Sequence, residues 1–340
     1  MQKRILTGVK PTGAPHIGNY LGAIRPALEL ATKHDSFLFI ADLHALTITP
    51  KPAELKEQVY GVAATWLALG VDPKQTVFYR QSDVPEITNL AWLLSCVLPI
   101  GMLERAHSFK DAQGKGVERE DVKHGLYAYP VLMAADILAF DIDLVPVGKD
   151  QKQHLEITQE AARKFNLIYG EGCLKVPEAM IDEQVMTIPG TDGRKMSKSY
   201  GNTIELFGDD KELVKTVKKG IKTDSTEYGL PLKSEGDTVF EIYRLLADPT
   251  RIEALRRRYQ TGRKDPVGPN DPSNYFGWGD AKSALADLLL EHLGPARAEY
   301  RRLMADRGHL DRLLAEGRDR ARAVAQPTLE RCLEAVGLRG

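Results

Sequence analysis

The chain has 340 residues, 43% hydrophobic and 27% charged, with a formal net charge of −1. That length suits about two globular domains, and no apolar run approaches the ~20 residues needed to span a bilayer, so no membrane partner is expected. The near-zero net charge leaves no global attraction to nucleic acid, so an RNA partner would have to be held by local basic patches.

Strand-like apolar runs alternate with helix-period segments through the first half. Met1-Gln-Lys-Arg4 runs straight into a predicted strand, Lys3–Val9. That apolar run is too short for a signal peptide, so a cytoplasmic location is expected. Further strands are expected at Phe37–Asp42, Thr76–Gln81 and Asp143–Val147, with a weaker one at Gln184–Ile188. Between them fall helices at Pro15–Thr32, Pro52–Gly70, Pro85–Leu98, Gly125–Ala139 and Gln151–Asn166. This alternation predicts an α/β class with a Rossmann-like parallel sheet covered on both faces. Ligands of such sheets sit beyond the C-terminal strand ends, near the switch in strand order. After about residue 190 the pattern becomes helical: Lys211–Lys219, Thr238–Leu246, Pro249–Gln260, Gly279–Leu293, and a run from Pro295 to Leu338 that Pro327 is expected to interrupt. Gly262–Gly277, rich in Pro, Gly, Asn and Asp, reads as a loop. The expected division is a catalytic domain over residues 1–190, a smaller all-helical domain over 191–304, and a last helix from about 305 to 340 returning to the first domain. The three cysteines, Cys96, Cys173 and Cys332, are far apart and outside any metal spacing, as reduced thiols would be. No Asp/Glu cluster suggests a dedicated metal site.

Two segments carry chemistry. Lys10-Pro-Thr-Gly-Ala-Pro-His-Ile-Gly-Asn19 lies between the first strand and first helix. Gly13 suits the turn and Pro15 the first helical position. His16 and Asn19 share a face of the opening turn, Gly18 lets a flat base or ribose approach the backbone, and free N–H groups at a helix start favour an anion. Taken alone it is also an ordinary capped helix start. The second segment, Gly193-Arg-Lys-Met-Ser-Lys-Ser-Tyr-Gly-Asn202, sets Lys195 and Lys198 on a glycine-flanked loop. Two mobile ammonium groups can stabilise a departing pyrophosphate more in the transition state than in the ground state. Alone, it is also an ordinary solvated loop.

Together the segments resemble the signature pair of class I aminoacyl-tRNA synthetases. Lys195–Ser199 matches the family motif throughout, and asparagine at position 19 is familiar in the tryptophanyl branch. Tyr129-Pro-Val-Leu-Met-Ala-Ala-Asp136 and Val145-Pro-Val-Gly-Lys-Asp-Gln151 look like motifs of that branch, as does the C-terminal Leu310–Gly317 run. The resemblance implies ATP-dependent activation of L-tryptophan to an adenylate, then transfer to tRNA(Trp). His16 and Asn19 would contact ATP, and Lys195 and Lys198 its phosphates. Lys10, Thr12, Gly18, Gly148, Asp150, Gln151, Met196, Ser197 and Ser199 would complete the nucleotide site. Asp136, Met133, His44, Tyr129, Gln151, Val145 and Gly8 would hold tryptophan.

A carboxylate within an apolar helix needs a donor, and the indole N–H is one, so Asp136 is the expected indole partner. Met133 can pack on an aromatic ring. Lys10 stands where several relatives have glutamine and Lys149 where some have glutamate. A third phosphate lysine falls at Lys110 or Lys115. Magnesium is expected on the triphosphate, not in a protein cage. Basic clusters at Arg251, Arg256–Arg258, Arg263 and Lys264, and at Arg301, Arg302, Arg318, Arg320 and Arg322, are candidates for tRNA phosphates. The family is homodimeric, with Pro85–Leu98 and its Trp92 as an interface candidate. Three other readings stay open at this point: a tyrosyl enzyme, against which Met133 argues; a small nucleotidyltransferase, which leaves the helical third without a role; and a paralogue that binds RNA or protein without charging.

Overall fold

The computed structural model describes residues 2–106, 114, 118, 121–148, 152–181 and 187–339. Two compact units form. One comprises Met1–Gly13, Ala27–Val185 and Leu303–Gly340; the other comprises Ala14–Pro26 and Met186–Arg302.

The first unit is built on a five-stranded sheet in the order β3-β2-β1-β4-β5, with every pairing parallel. Its strands are β1 (Arg4–Val9), β2 (Asp35–Ile40), β3 (Val77–Arg80), β4 (Leu144–Val147) and β5 (Glu178–Ile181). Strand order reverses between β1 and β4, which share the single register pair Ile5↔Leu144. Beyond it the two strands part, leaving the C-terminal ends of β1 (Gly8) and β4 (Val147, Gly148) at the switch point where such sheets bind ligands. Gly8 is required there: a Cβ on it would lie 2.4 Å from the ring of Phe39, its register partner on β2.

The Val-, Ile- and Phe-rich strands form within two residues of their expected bounds. The fifth does not. β5 is the Glu-Ala-Met-Ile run at Glu178–Ile181, six residues before the expected Gln184–Ile188; Thr187 and Ile188 lie outside any strand, and 184–186 fall outside the described residues. An edge strand pairs along one side only, so backbone register with β4 fixes it although Glu178 and Ala179 are poor strand formers.

Ala14–Pro26 of the second unit carries α1 (Ile17–Asn19) and a π turn (Tyr20–Ile24) that leads into α2 (Arg25–Ala31); the helices of the first unit go on with α3 (Asp42–Ala45), α4 (Pro52–Ala68), α5 (Pro85–Ser95), α6 (Ile100–Leu103), α7 (His124–Leu138) and α8 (Lys152–Tyr169). The second unit adds α9 (Asp210–Lys215), α10 (Thr238–Leu246), α11 (Pro249–Thr261) and α12 (Trp278–Ala305); α13 (Arg307–Ala335) ends the chain. α2 and α12 each run from one unit into the other.

α7 is the central helix of the first core. Val131, Ala134, Ala135, Ile137 and Leu138 pack with Ile87, Leu90 and Leu94 of α5 and Ala161, Ala162 and Phe165 of α8. Each fully buried aliphatic side chain contributes about 1.5–3 kcal/mol. α13 closes the same core through Ala321, Ala325, Leu329 and Cys332. It approaches β3 so closely that a Cβ on Gly317 would sit 1.7 Å from the Phe78 carbonyl oxygen. Arg322 of α13 also meets the buried Glu86 of α5 at 2.9 Å. Arg320 donates to the Pro73 carbonyl at 2.6 Å. These two members of the expected tRNA-binding cluster therefore hold the fold.

Neither proline of the C-terminal run breaks a helix. α12 passes through Pro295 and α13 through Pro327. The interruption is at Asp306, which leaves the helical region (φ −119°, ψ 74°) and whose carboxylate accepts from the His309 N–H at 2.9 Å. A mid-helix proline costs about 3 kcal/mol, and burial of Ala321, Ala325 and Leu329 along the same helix outweighs it.

The second unit buries Val239, Ile242, Leu255, Tyr259, Leu285 and Leu289. Phe240, Phe276 and Trp278 surround the Tyr259 ring, and its hydroxyl donates to Asp237 at 3.0 Å.

Candidate active site

Two groups of side chains stand out, one in each unit.

In the second unit, His16 ends an extended stretch and caps α1. The Asn19 N–H donates to His16 Nδ1 (3.3 Å), and the His16 N–H donates to Asn19 Oδ1 (3.1 Å). In this reciprocal cap each side chain holds the other residue's backbone N–H across one turn. Burial, aided by the Lys198 ammonium, lowers the His16 pKa to about 4. The imidazole is therefore neutral at pH 7, and with Nδ1 accepting, its proton sits on Nε2 as a donor.

The later lysine loop reaches this turn. The Gly18 N–H points at Met196 Sδ, 3.2 Å away. A Cβ on Gly18 would stand 3.0 Å from the His16 ring and 3.2 Å from Met196 Cβ. An antiparallel bridge pairs His16 with Glu205, flanked by Ile17 N–H to Ile204 O (2.9 Å) and Leu206 N–H to Pro15 O (3.0 Å). Burial also pulls the Lys198 pKa down, with Glu205 opposing it. Residues from the two expected segments, nearly 180 positions apart, thus share one surface.

Asn202, 2% exposed, organises the loop. Its Oδ1 accepts from the Ser197 N–H (2.8 Å), and its Nδ2 donates to Asp192 Oδ1 (2.7 Å) and the Lys195 carbonyl (3.1 Å). The bond from Asn202 Nδ2, with Arg194, holds the Asp192 pKa down at about 2. Gly190 makes room: a Cβ there would lie 2.3 Å from Asn202 Nδ2. Lys195 itself is exposed, and Ser197 and Ser199 hydroxyls pair at 2.8 Å.

In the first unit, α7 places Tyr129, Met133 and Asp136 on one face at helical spacing. Asp136 is fully buried, which excludes a surface acid paired with lysine. Its donors come from the protein: Gln81 Nε2 at 2.7 Å on Oδ1, and His44 Nε2 at 2.7 Å on Oδ2. Gln81 also accepts from the His44 N–H at 3.3 Å. Burial raises the Asp136 pKa, and the His44 and Gln81 bonds oppose that rise. The Tyr129 ring meets His44 edge-on, and its hydroxyl bonds His154 of α8 at 2.5 Å.

Beside this group lies a mostly apolar cavity of about 270 Å³, lined by His44, Leu46, Leu126, Ala128, Tyr129 and Leu132 among others, with Asp136 behind His44. Met133 packs at the edge of the core, and Val145 is buried on β4.

Of the remaining expected residues, Lys10 follows β1, and partial burial lowers its pKa. Thr12 is exposed. Asp150, Gln151, Lys110, Lys115 and Lys149 lie outside the described residues. Sequence reasoning missed Gln81, His154, Asp192 and Asn202. Asn202 and Asp192 flank the lysine motif and were within reach of a hydrogen-bond inventory of that loop; Gln81 and His154 carry no sequence signal.

Known proteins resemble this chain over most of its length. The family described as tRNA synthetases class I (W and Y) matches residues 2–269. A tryptophan–tRNA ligase of Bordetella parapertussis is 45% identical over 99% of this chain and 74% of its own length. One from Xanthomonas campestris is 46% identical over all of this chain and 77% of its own. Among solved structures, tryptophanyl-tRNA synthetase from Campylobacter jejuni, complexed with ADP and tryptophan, superposes with a TM-score of 0.89 at 42% identity, covering 98% of this chain and 99% of that one.

Proposed function

The chain belongs to the class I aminoacyl-tRNA synthetases of the tryptophan and tyrosine branch, and from that premise we propose how its residues perform the reaction of a tryptophan–tRNA ligase. The enzyme activates L-tryptophan with ATP and transfers it to tRNA(Trp). The observation that carries the assignment of roles is the Gly18–Met196 contact, which joins the first turn and the lysine loop around one surface.

In this reading ATP lies over the His16–Asn19 turn. Neutral His16 donates from Nε2 to a phosphate oxygen, Gly18 lets the nucleotide approach the backbone, and Lys195 and Lys198 take the charge that builds on the pyrophosphate. Thr12, Met196, Ser197, Ser199, Gly148, Asp150 and Gln151 complete that site. Tryptophan lies by α7, its indole N–H on Asp136, with Met133, His44, Val145 and Gly8 around the ring. Tyr129 and Gln151 face its amino group, and Lys10 its carboxylate. The cavity against His44 and Tyr129 supports this, since it is apolar with one buried acceptor behind it. The carboxylate attacks the α-phosphorus, the bond to pyrophosphate breaks, and the 3′-terminal ribose of tRNA then attacks the adenylate carbonyl. Positioning and charge stabilisation carry the rate, with no covalent enzyme intermediate.

Magnesium would arrive on the triphosphate; among the described residues no group of three or more His, Cys, Asp or Glu could hold it. The helical second unit would read the tRNA. A homodimer would cover the exposed Trp92 (71%) and Ile100 (63%) of α5 and α6. Cytoplasmic location follows from the role in protein synthesis.

Tryptophan-dependent exchange of pyrophosphate into ATP, followed by charging of a tRNA(Trp) transcript, tests the assignment. Exchange with tyrosine and not with tryptophan would overturn it.

A further inference from the structure

Arg297 of α12 is 2% exposed, yet it carries a permanent charge. Its guanidinium spends all three nitrogens on one short segment: Nε donates to the Leu206 carbonyl (3.0 Å), Nη2 to the Gly208 carbonyl (2.6 Å), and Nη1 to Asp210. Burying a cation is costly unless every donor is matched, so this grip has a specific geometric demand behind it. Attachment alone would not need it, because three residues further along α12 the Tyr300 ring already stacks flat on Phe207, centroids 4.2 Å apart.

The gripped segment is continuous with the stretch that bridges the His16 turn. Leu206 donates its N–H to Pro15, Ile204 accepts from Ile17, and Glu205 bridges His16 between them. The guanidinium is thus one residue from a hydrogen bond to the chain beside His16. α12 makes a second tie to the same turn: the Tyr20 hydroxyl, one residue past Asn19, bonds His292 Nε2 at 3.0 Å.

We propose that Arg297 is a positioning residue for nucleotide binding: by fixing Leu206 it sets where Pro15 and His16 stand, and so where ATP is received. This rests on the reading that the His16–Asn19 turn binds ATP. Lysine cannot substitute, since one ammonium cannot reach three acceptors arranged in the plane of a fork. A merely structural anchor would lower stability and affect both small substrates alike.

The test is pyrophosphate exchange by wild type, R297K and R297A, with KM measured separately for ATP and tryptophan and Tm measured alongside. R297K should raise KM for ATP about tenfold or more while KM for tryptophan stays within about twofold. Guanidinium ion, but not ammonium at equal ionic strength, should partly restore ATP binding in R297A; should R297A not fold, R297K with its tryptophan KM carries the test. A wild-type KM for ATP in R297K, or equal losses for ATP and tryptophan, overturns the inference alone. Absence of any tryptophan-dependent exchange in the wild type overturns the proposed function and this inference with it.

Discussion

His44 Nε2 and Asp136 Oδ2 stand 2.7 Å apart in the interior of the first unit, with Gln81 closing the other carboxylate oxygen. Burial raises the Asp136 pKa. A raised carboxylate pKa means the folded state favours the protonated form, so stability from this group is present at acid pH and lost as pH rises through its folded pKa. Desolvation therefore works against the ionised form of this carboxylate. Asparagine would keep both hydrogen bonds, donating to His44 and accepting from Gln81. Asp136→Asn should leave Tm at pH 7.5 within about 3 °C of wild type or above it. Its KM for tryptophan should rise about 100-fold through loss of the carboxyl acceptor. Thermal melts and exchange kinetics check the pair; a large fall in Tm with an unchanged KM would assign Asp136 to the core alone.

Asn202→Ala removes the acceptor for Ser197 and the donor to Lys195 and Asp192 in one step. Leaving such groups unpaired costs about 1–3 kcal/mol. Because they position Lys195 and Lys198, the cost should fall on kcat of pyrophosphate exchange, by about 10- to 100-fold, with tryptophan binding unchanged. Equilibrium binding of tryptophan beside steady-state kinetics separates the two; a variant with full kcat would show that the loop orders without this side chain.

The His16 pKa, lowered to about 4, has the opposite sign of consequence from Asp136. Below an unfolded value of about 6.5, the unfolded chain takes up a proton that the folded chain refuses. Stability from His16 is therefore fully present above about pH 6.5 and declines as pH falls toward 4. His16→Asn retains a capping side chain but no titrating group, so its stability should depend less on pH across that window. Urea denaturation of both proteins between those limits measures the difference, and parallel curves would contradict it.

Gly317→Ala would force a Cβ to within 1.7 Å of the Phe78 carbonyl oxygen. Backbone of β3 cannot move without disturbing the sheet, so α13 must shift. A loss of about 3 kcal/mol is expected from overpacking of this kind, read as a lower denaturation midpoint. An unchanged midpoint would mean that α13 slides freely on the sheet.

How much of this was legible depended on whether the deciding force was local. β1 to β4 were readable because β-branched and aromatic runs between turn residues have few other uses. β5 was not, since Glu-Ala-Met-Ile is a strand through its pairing with β4. Pro295 and Pro327 suggested breaks because proline weakens a helix locally; burial along α12 and α13 prevails. In the site, Asp136 was legible as a carboxylate inside an apolar helix. Gln81 was not, because a glutamine at a strand end carries no pattern until the strand lies beside α7. Glycines told the same story: Gly18 was readable from its motif, whereas Gly317 is an unremarked helical residue until β3 is set against it.

The membership of Ala14–Pro26 in the second unit has a consequence for biosynthesis. Chains emerge from the ribosome at about 5–20 residues per second and fold from the leading end. β1 can pair with β2 once some forty residues are out. The partners of the neighbouring His16 segment, from Met196 through Arg297, are translated many seconds afterwards. During that interval the nascent polypeptide carries a partly assembled sheet beside a His16 turn that its later partners do not yet hold.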